Sequence, residues 1–157
     1  MLLIPFWVQS QSRAMQYMAD QHDDAFTMVF YYSTLKMWLP EDEVELKKII
    51  YDVEKIKMLK FSEGDIIDSD ELTKIKELLI DQNYEEMMII KGPSRQLLIY
   101  IREGKGIFIL GSQGSESMAL DILGTIPINK LLTLQEKLQT LTADGSIIDS
   151  IRNLQSN

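Results

Sequence analysis

The chain has 157 residues, 45% hydrophobic and 25% charged, and 24 acidic against 16 basic side chains give it a formal charge of -8. These proportions fit one soluble globular domain with a substantial core, and the acidic balance leaves no cationic surplus for phosphates, which argues against nucleic acid or anionic membrane as a partner. Zero cysteines exclude disulfides, thiol nucleophiles, thiolate zinc sites and a lipid-attachment cysteine.

The chain opens with the apolar stretch Met1-Leu2-Leu3-Ile4-Pro5-Phe6-Trp7-Val8 and continues into Gln9-Ser10-Gln11-Ser12. This order reads as the end of a secretory signal. Val8-Gln9-Ser10 or Ser10-Gln11-Ser12 supplies the small side chains required before the cut, while the basic leading region is missing. A start site placed too late would account for that gap; the alternative is an amino-terminal strand buried in a cytosolic protein. The expected organisation is a truncated signal peptide over 1–12, a single domain over 13–142 and a weakly docked tail over 143–157. No segment approaches the roughly 20 apolar residues needed to span a bilayer.

Arg13 to His22 reads as a short helix with Met15, Met18 and Ala19 on one face. A strand follows, in which Phe26, Met28, Phe30 and Tyr32 alternate with Thr27, Val29 and Tyr31. A short helical or irregular segment through Leu35, Met37 and Trp38 leads to Pro40. Proline suits a first helical turn, and Glu41, Asp42 and Glu43 suit the positive end of a helix dipole, which predicts a helix to about Tyr51. From Val53 to Phe61 the apolar positions change phase, Ile56 and Met58 first and then Leu59 and Phe61, as a bulge or two-sided burial would require. Asp68, with Glu71 three residues on, predicts a capped helix whose face is Leu72, Ile75 and Leu79.

Between Tyr84 and Leu123 four apolar runs are separated only by turn residues: Met87 to Ile90, Leu97 to Ile101, Ile107 to Leu110 and Met118 to Leu123. That spacing predicts an antiparallel meander. Each run is apolar at odd and even positions, so both faces of the sheet are expected to be largely covered. Gly92-Pro93-Ser94, Gly104-Lys105-Gly106 and the stretch from Gly111 to Ser115 are turn chemistry rather than phosphate cradles, because they join strands and not a strand to a helix. Beyond Gly124, Ile128, Leu131, Leu132, Leu134, Leu138 and Leu141 predict an amphipathic helix. Ile147, Ile148, Ile151 and Leu154 in the tail keep a roughly helical spacing.

No motif carries catalysis, and no catalytic, cofactor or metal residue is assigned. His22 is the one histidine; near a helix carboxyl end it is expected on the surface as a favourable charge. The acidic stretch from Asp65 to Glu71 lacks the order of a calcium loop and is better explained by capping. Glu85 with Glu86 is too unspecific a pair to define a site. Asp121 is the odd residue, a carboxylate inside an apolar strand, and is expected either at a solvent-facing sheet edge or paired. The Met and aromatic side chains of the amino half are expected in the core.

In order and spacing, Met15-Gln16-Tyr17-Met18, the segment from Asp52 to Leu59, the segment from Tyr84 to Lys91 and Ile122-Leu123-Gly124-Thr125-Ile126-Pro127-Ile128-Asn129-Lys130-Leu131 resemble the domain of unknown function 4252 family, from about Arg13 to Leu138. The resemblance implies a small exported protein of a Gram-negative bacterium, with no assigned activity. Many such proteins are lipoproteins; the missing cysteine favours a soluble periplasmic protein here.

The expected fold is α+β, a mostly antiparallel sheet of five to six strands with helices packed on its faces. The expected function is non-enzymatic binding in the envelope, to an unknown protein or envelope component, with homo-oligomerisation through a sheet edge as one mode and no cofactor. One alternative is a hydrolase or small-molecule-binding protein using Asp121, Glu85, Glu86 or His22 in a pocket. Another is an accessory to envelope stress signalling.

Overall fold

A computed structural model describes residues 12–39, 41–127, 129, 130 and 133, the side chain of Trp38 excepted. Residues 1–11, Pro40, the expected helix over 128–141 apart from those three positions, and the tail lie outside the described residues. In chain order the elements are α1 (Arg13–Gln21), β1 (Phe26–Tyr31), α2 (Tyr32–Trp38), α3 (Val44–Ile49), β2 (Val53–Lys60), α4 (Ser69–Asp81), β3 (Glu85–Lys91), β4 (Arg95–Arg102), β5 (Gly106–Gln113) and β6 (Glu116–Gly124).

The fold is α+β, with one six-stranded sheet in the order β1-β2-β6-β5-β4-β3. Every neighbouring pair is antiparallel. The predicted meander is the run β3 to β6, and β6 then pairs with β2 across a long stretch of sequence. Alternation along the strands builds two apolar cores. One contains Met28, Phe30, Ile56, Met58, Leu97, Ile99, Leu120 and Ile122 with Leu35, Leu46 and Ile49 from α2 and α3. The other contains Leu59, Leu98, Tyr100, Phe108 and Ala119 with Met15 and Met18 of α1 and Ile75 and Leu79 of α4. The phase change in β2 is therefore two-sided burial, accompanied by a register shift between Val53 and Lys55.

The helix expected from Pro40 is shorter: α3 begins at Val44, which is exposed, after Glu41, Asp42 and Glu43, whose polar side chains give no apolar anchor for an earlier turn, and only Leu46 and Ile49 of α3 are buried. Tyr32 opens α2 instead of closing β1. Pairing with β2 ends at Tyr31 opposite Lys55, next to the β2 irregularity, and the chain leaves the sheet there. Met15, Met18, Met28 and Phe30 are core residues as expected, whereas Met37 is 83% exposed and Tyr31 and Phe26 are also exposed.

The expectation that both faces are covered holds for β4, β5 and most of β6 and fails at β3. All seven β3 residues are exposed. As the last strand in the sheet order it has, among the described residues, a neighbour on one side only.

Candidate functional site

Edge strand β3 has the sequence Glu85-Glu86-Met87-Met88-Ile89-Ile90-Lys91. Its pairing with β4 places Met88 opposite Ile99, Ile89 opposite Leu98 and Ile90 opposite Leu97, with a register shift between Glu86 and Met88. Ile99 and Leu97 belong to one core and Leu98 to the other. Met88 and Ile90 therefore extend the first core outward and Ile89 extends the second. Exposures of 45% for Met87, 40% for Met88, 36% for Ile89 and 39% for Ile90 leave an apolar margin on both faces, beside a backbone edge that no other described strand pairs. The opposite edge, β1, differs in pattern: buried Met28 and Phe30 alternate with exposed Phe26, Val29 and Tyr31, and Lys55 Nζ of β2 sits 5.4 Å from the Tyr31 ring centroid.

The polar residues singled out from the sequence occupy three separate places. Glu86 accepts a hydrogen bond from the Tyr100 hydroxyl at 2.9 Å across β3 and β4, and Glu85 is solvent-exposed beside it. Burial and then the Glu86 carboxylate push the Tyr100 hydroxyl up to about 12.

Asp121 lies inside the second core, 5% exposed, between Lys57 of β2 and Phe108 of β5 in register. It is paired, one of the two expected outcomes. Its Oδ2 accepts from the Ser12 backbone N–H at 2.7 Å and from Ser12 Oγ at 2.9 Å. Ser12 Oγ in turn accepts from the Met15 N–H, so the same serine caps α1. Ser12 is thus part of the domain, although it falls at the end of the signal-like segment. Burial, and secondarily the charge of Asp121, pushes the Tyr84 hydroxyl up to about 12.

His22 corrects the expectation of a surface charge. It follows α1 as its C-cap, and its side chain is only 9% exposed. Nδ1 lies 2.7 Å from Asp65 Oδ2 and Nε2 lies 2.6 Å from Glu71 Oε1, with the ring edge-on to Phe61 at 4.7 Å between centroids. A carboxylate on each ring nitrogen favours the doubly protonated imidazole, in which both nitrogens donate. Glu71 therefore faces His22 while Asp68 caps α4 by accepting from the Glu71 N–H at 2.8 Å. The other ends of the two helices are joined as well, by the Arg13 N–H donating to Gln82 Oε1 at 2.6 Å. The His22 cluster clamps α1 to α4 and pins the loop at Asp65.

Burial lowers the His22 pKa, but the hydrogen bonds and charges of Glu71 and Asp65 outweigh it and leave the value raised above 6.5. A raised value means that the folded state binds the proton more tightly. The clamp therefore contributes its full stability below pH 6.5 and loses it as the pH rises through the folded-state value. Urea unfolding of the native protein should show an unfolding free energy that falls above pH 6.5, no more steeply than about 1.4 kcal/mol per pH unit. His22→Asn should lack that descent; a parallel descent in the variant would refute the assignment.

A solvent-open depression of about 620 Å³ is lined by Gln21, His22, Asp23, Asp24 and Asp65, and neither Asp121 nor the β3 glutamates reach it. Among the described residues no group of three His, Asp or Glu side chains is placed to hold a metal ion, and no helix is long and apolar enough to cross a membrane. Sequence spacing had no means of showing the Ser12–Asp121 and His22–Glu71 contacts, whose partners are 109 and 49 residues apart.

No curated protein and no solved structure gives a significant match to the chain. A family model described as a domain of unknown function (DUF4252) matches residues 18–134, well over half of the chain and nearly the extent expected from the sequence, and the chain belongs to that family.

Proposed function

We propose that the protein is an exported, non-enzymatic binding domain, soluble in the periplasm of a Gram-negative bacterium, that recognises a protein partner by pairing a strand with β3. The carrying observation is the exposure of every β3 residue, with four consecutive apolar side chains spread over both faces of the sheet margin. Main-chain pairing at such an edge supplies affinity, and flanking apolar side chains supply selectivity.

The separation of Asp121, His22 and the β3 glutamates supports binding over a hydrolase that uses them together. Export is supported by the apolar start of the chain. A cut after Ser10 keeps Ser12 in the mature protein, whereas a cut after Ser12 would strip Asp121 of both of its Ser12 hydrogen bonds.

A photo-crosslinking side chain at position 88, introduced into the protein in its native host, should trap a covalent adduct in the periplasmic fraction. The same group at Lys74, exposed on α4, should trap none. Equal yields at both positions, no adduct at 88, or protein confined to the cytoplasm would reject the proposal.

A further inference from the structure

We infer that the strand received by β3 is β3 of a second copy of this chain, so that two six-stranded sheets join antiparallel across a two-fold axis. This rests on the reading of β3 as a recognition edge and names its occupant.

The first argument is charge order along the strand. β3 begins with Glu85 and Glu86 and ends with Lys91. In an antiparallel pair of identical strands the acidic start of each copy lies beside the basic end of the other. A parallel pair would instead set glutamates beside glutamates and lysine beside lysine, and like charges on neighbouring strands are destabilising. The strand is therefore self-complementary in one direction only.

The second argument is the matching of faces. Opposed residues in an antiparallel pair share a face, and a two-fold axis perpendicular to the sheet keeps each face continuous with itself. Met88 and Ile90 lie on the face of Ile99 and Leu97, and Ile89 lies on the face of Leu98. Centring the axis on Ile89 sets Ile89 against Ile89 of the second copy, and Met88 against its Ile90 on the other face. Both apolar cores then run on across the junction, and all three side chains are covered by their counterparts. In this register Lys91 falls opposite Met87, one residue from Glu86 of the other copy.

The register shift at Glu86 and Met88 and the proline at position 93 keep the joint short. A short joint of this kind fits reversible association rather than an obligate dimer.

Sedimentation equilibrium of the purified full chain tests the inference. The native protein should show a concentration-dependent monomer–dimer equilibrium. Ile89→Lys and Ile89→Glu should each weaken it at least tenfold, because each opposes like charges on the axis, and an equimolar mixture of the two should recover the dimer. Ile89 is an exposed edge side chain, so both variants should keep the native far-ultraviolet circular dichroism. Where either loses it, Lys91→Glu, which makes both ends of the strand acidic, should weaken association instead. A native protein that stays monomeric, a dimer undiminished by the charge substitutions, or a mixture that stays monomeric overturns self-pairing. Those results alongside an adduct specific to position 88 in the periplasm would show that the edge binds a different protein, which separates failure of this inference from failure of the proposed function.

Discussion

Gly124→Ala should lower the unfolding free energy by about 4 kcal/mol, the sum of a strained backbone and a steric clash each worth roughly 1–3 kcal/mol. Gly124 closes β6 opposite Val53 of β2 and has φ +123°, a region that L side chains rarely adopt. A Cβ there would stand 2.3 Å from the Asp52 carbonyl oxygen, 2.9 Å from Val53 Cα and 3.1 Å from the Glu54 nitrogen. All three are main-chain atoms, so no side chain can swing away to relieve the contact. Relief requires β2 and β6 to part at this end, and the same Asp52 carbonyl accepts from the Thr125 N–H at 3.0 Å. Gly104 is the control. It also has a positive φ, +67°, yet a Cβ would meet nothing within 4 Å, so Gly104→Ala should cost only about 1–2 kcal/mol. Urea unfolding of both variants measures the difference. Equal losses would show that backbone conformation alone, not the close approach of β2, sets the requirement at Gly124.

Asp121→Ala should cost roughly 3 kcal/mol, since two hydrogen bonds to the carboxyl oxygen are lost and a buried N–H is left without its acceptor. Ser12, 2% exposed, is the donor in both bonds and the cap of α1, so the loss is expected at the start of that helix. Amide exchange at Ser12 and Met15 should accelerate more than exchange in β5. Burial pushes the Asp121 carboxyl above its usual value of 3.8, against the lowering effects of the Ser12 hydrogen bonds and of Lys57 and Lys55. The unfolded chain therefore gives up this proton first, and stability falls as the pH rises from 3.8 through the folded-state value. Asp121→Asn keeps one acceptor oxygen and removes that dependence. It should be milder than the alanine change, and its acid-side stability curve should lack the Asp121 contribution. A double-mutant cycle with Ser12→Ala should be strongly non-additive; additive losses would mean that the two residues act separately.

Much of this fold was legible in the chain. The runs from Leu97 to Leu123 read as strands because their apolar residues are bounded by turn chemistry, and they are strands in the expected order. The capping of α4 by Asp68 depends on a residue only three positions away, and local spacing was sufficient to place it. The α+β class followed from the same local patterns. Where the reading failed, the deciding contact was remote. His22 looked like a surface charge because Asp65 and Glu71 are distant in sequence, and the helix beginning near Pro40 looked longer because the exposure of Val44 and the burial of Leu46 and Ile49 are set by tertiary packing.

Composition and periodicity by themselves determined that this chain makes one α+β sheet protein, because hydrophobic spacing encodes which side chains require burial. They did not determine which strand would end the described sheet. A run such as Met87 to Ile90 has the same pattern whether it lies inside a sheet or at its margin. Only the tertiary pairing of β6 with β2 set the order that leaves β3 at the edge. It did so because strand order is a property of contacts between distant segments, and the candidate interaction site exists only once those contacts have formed.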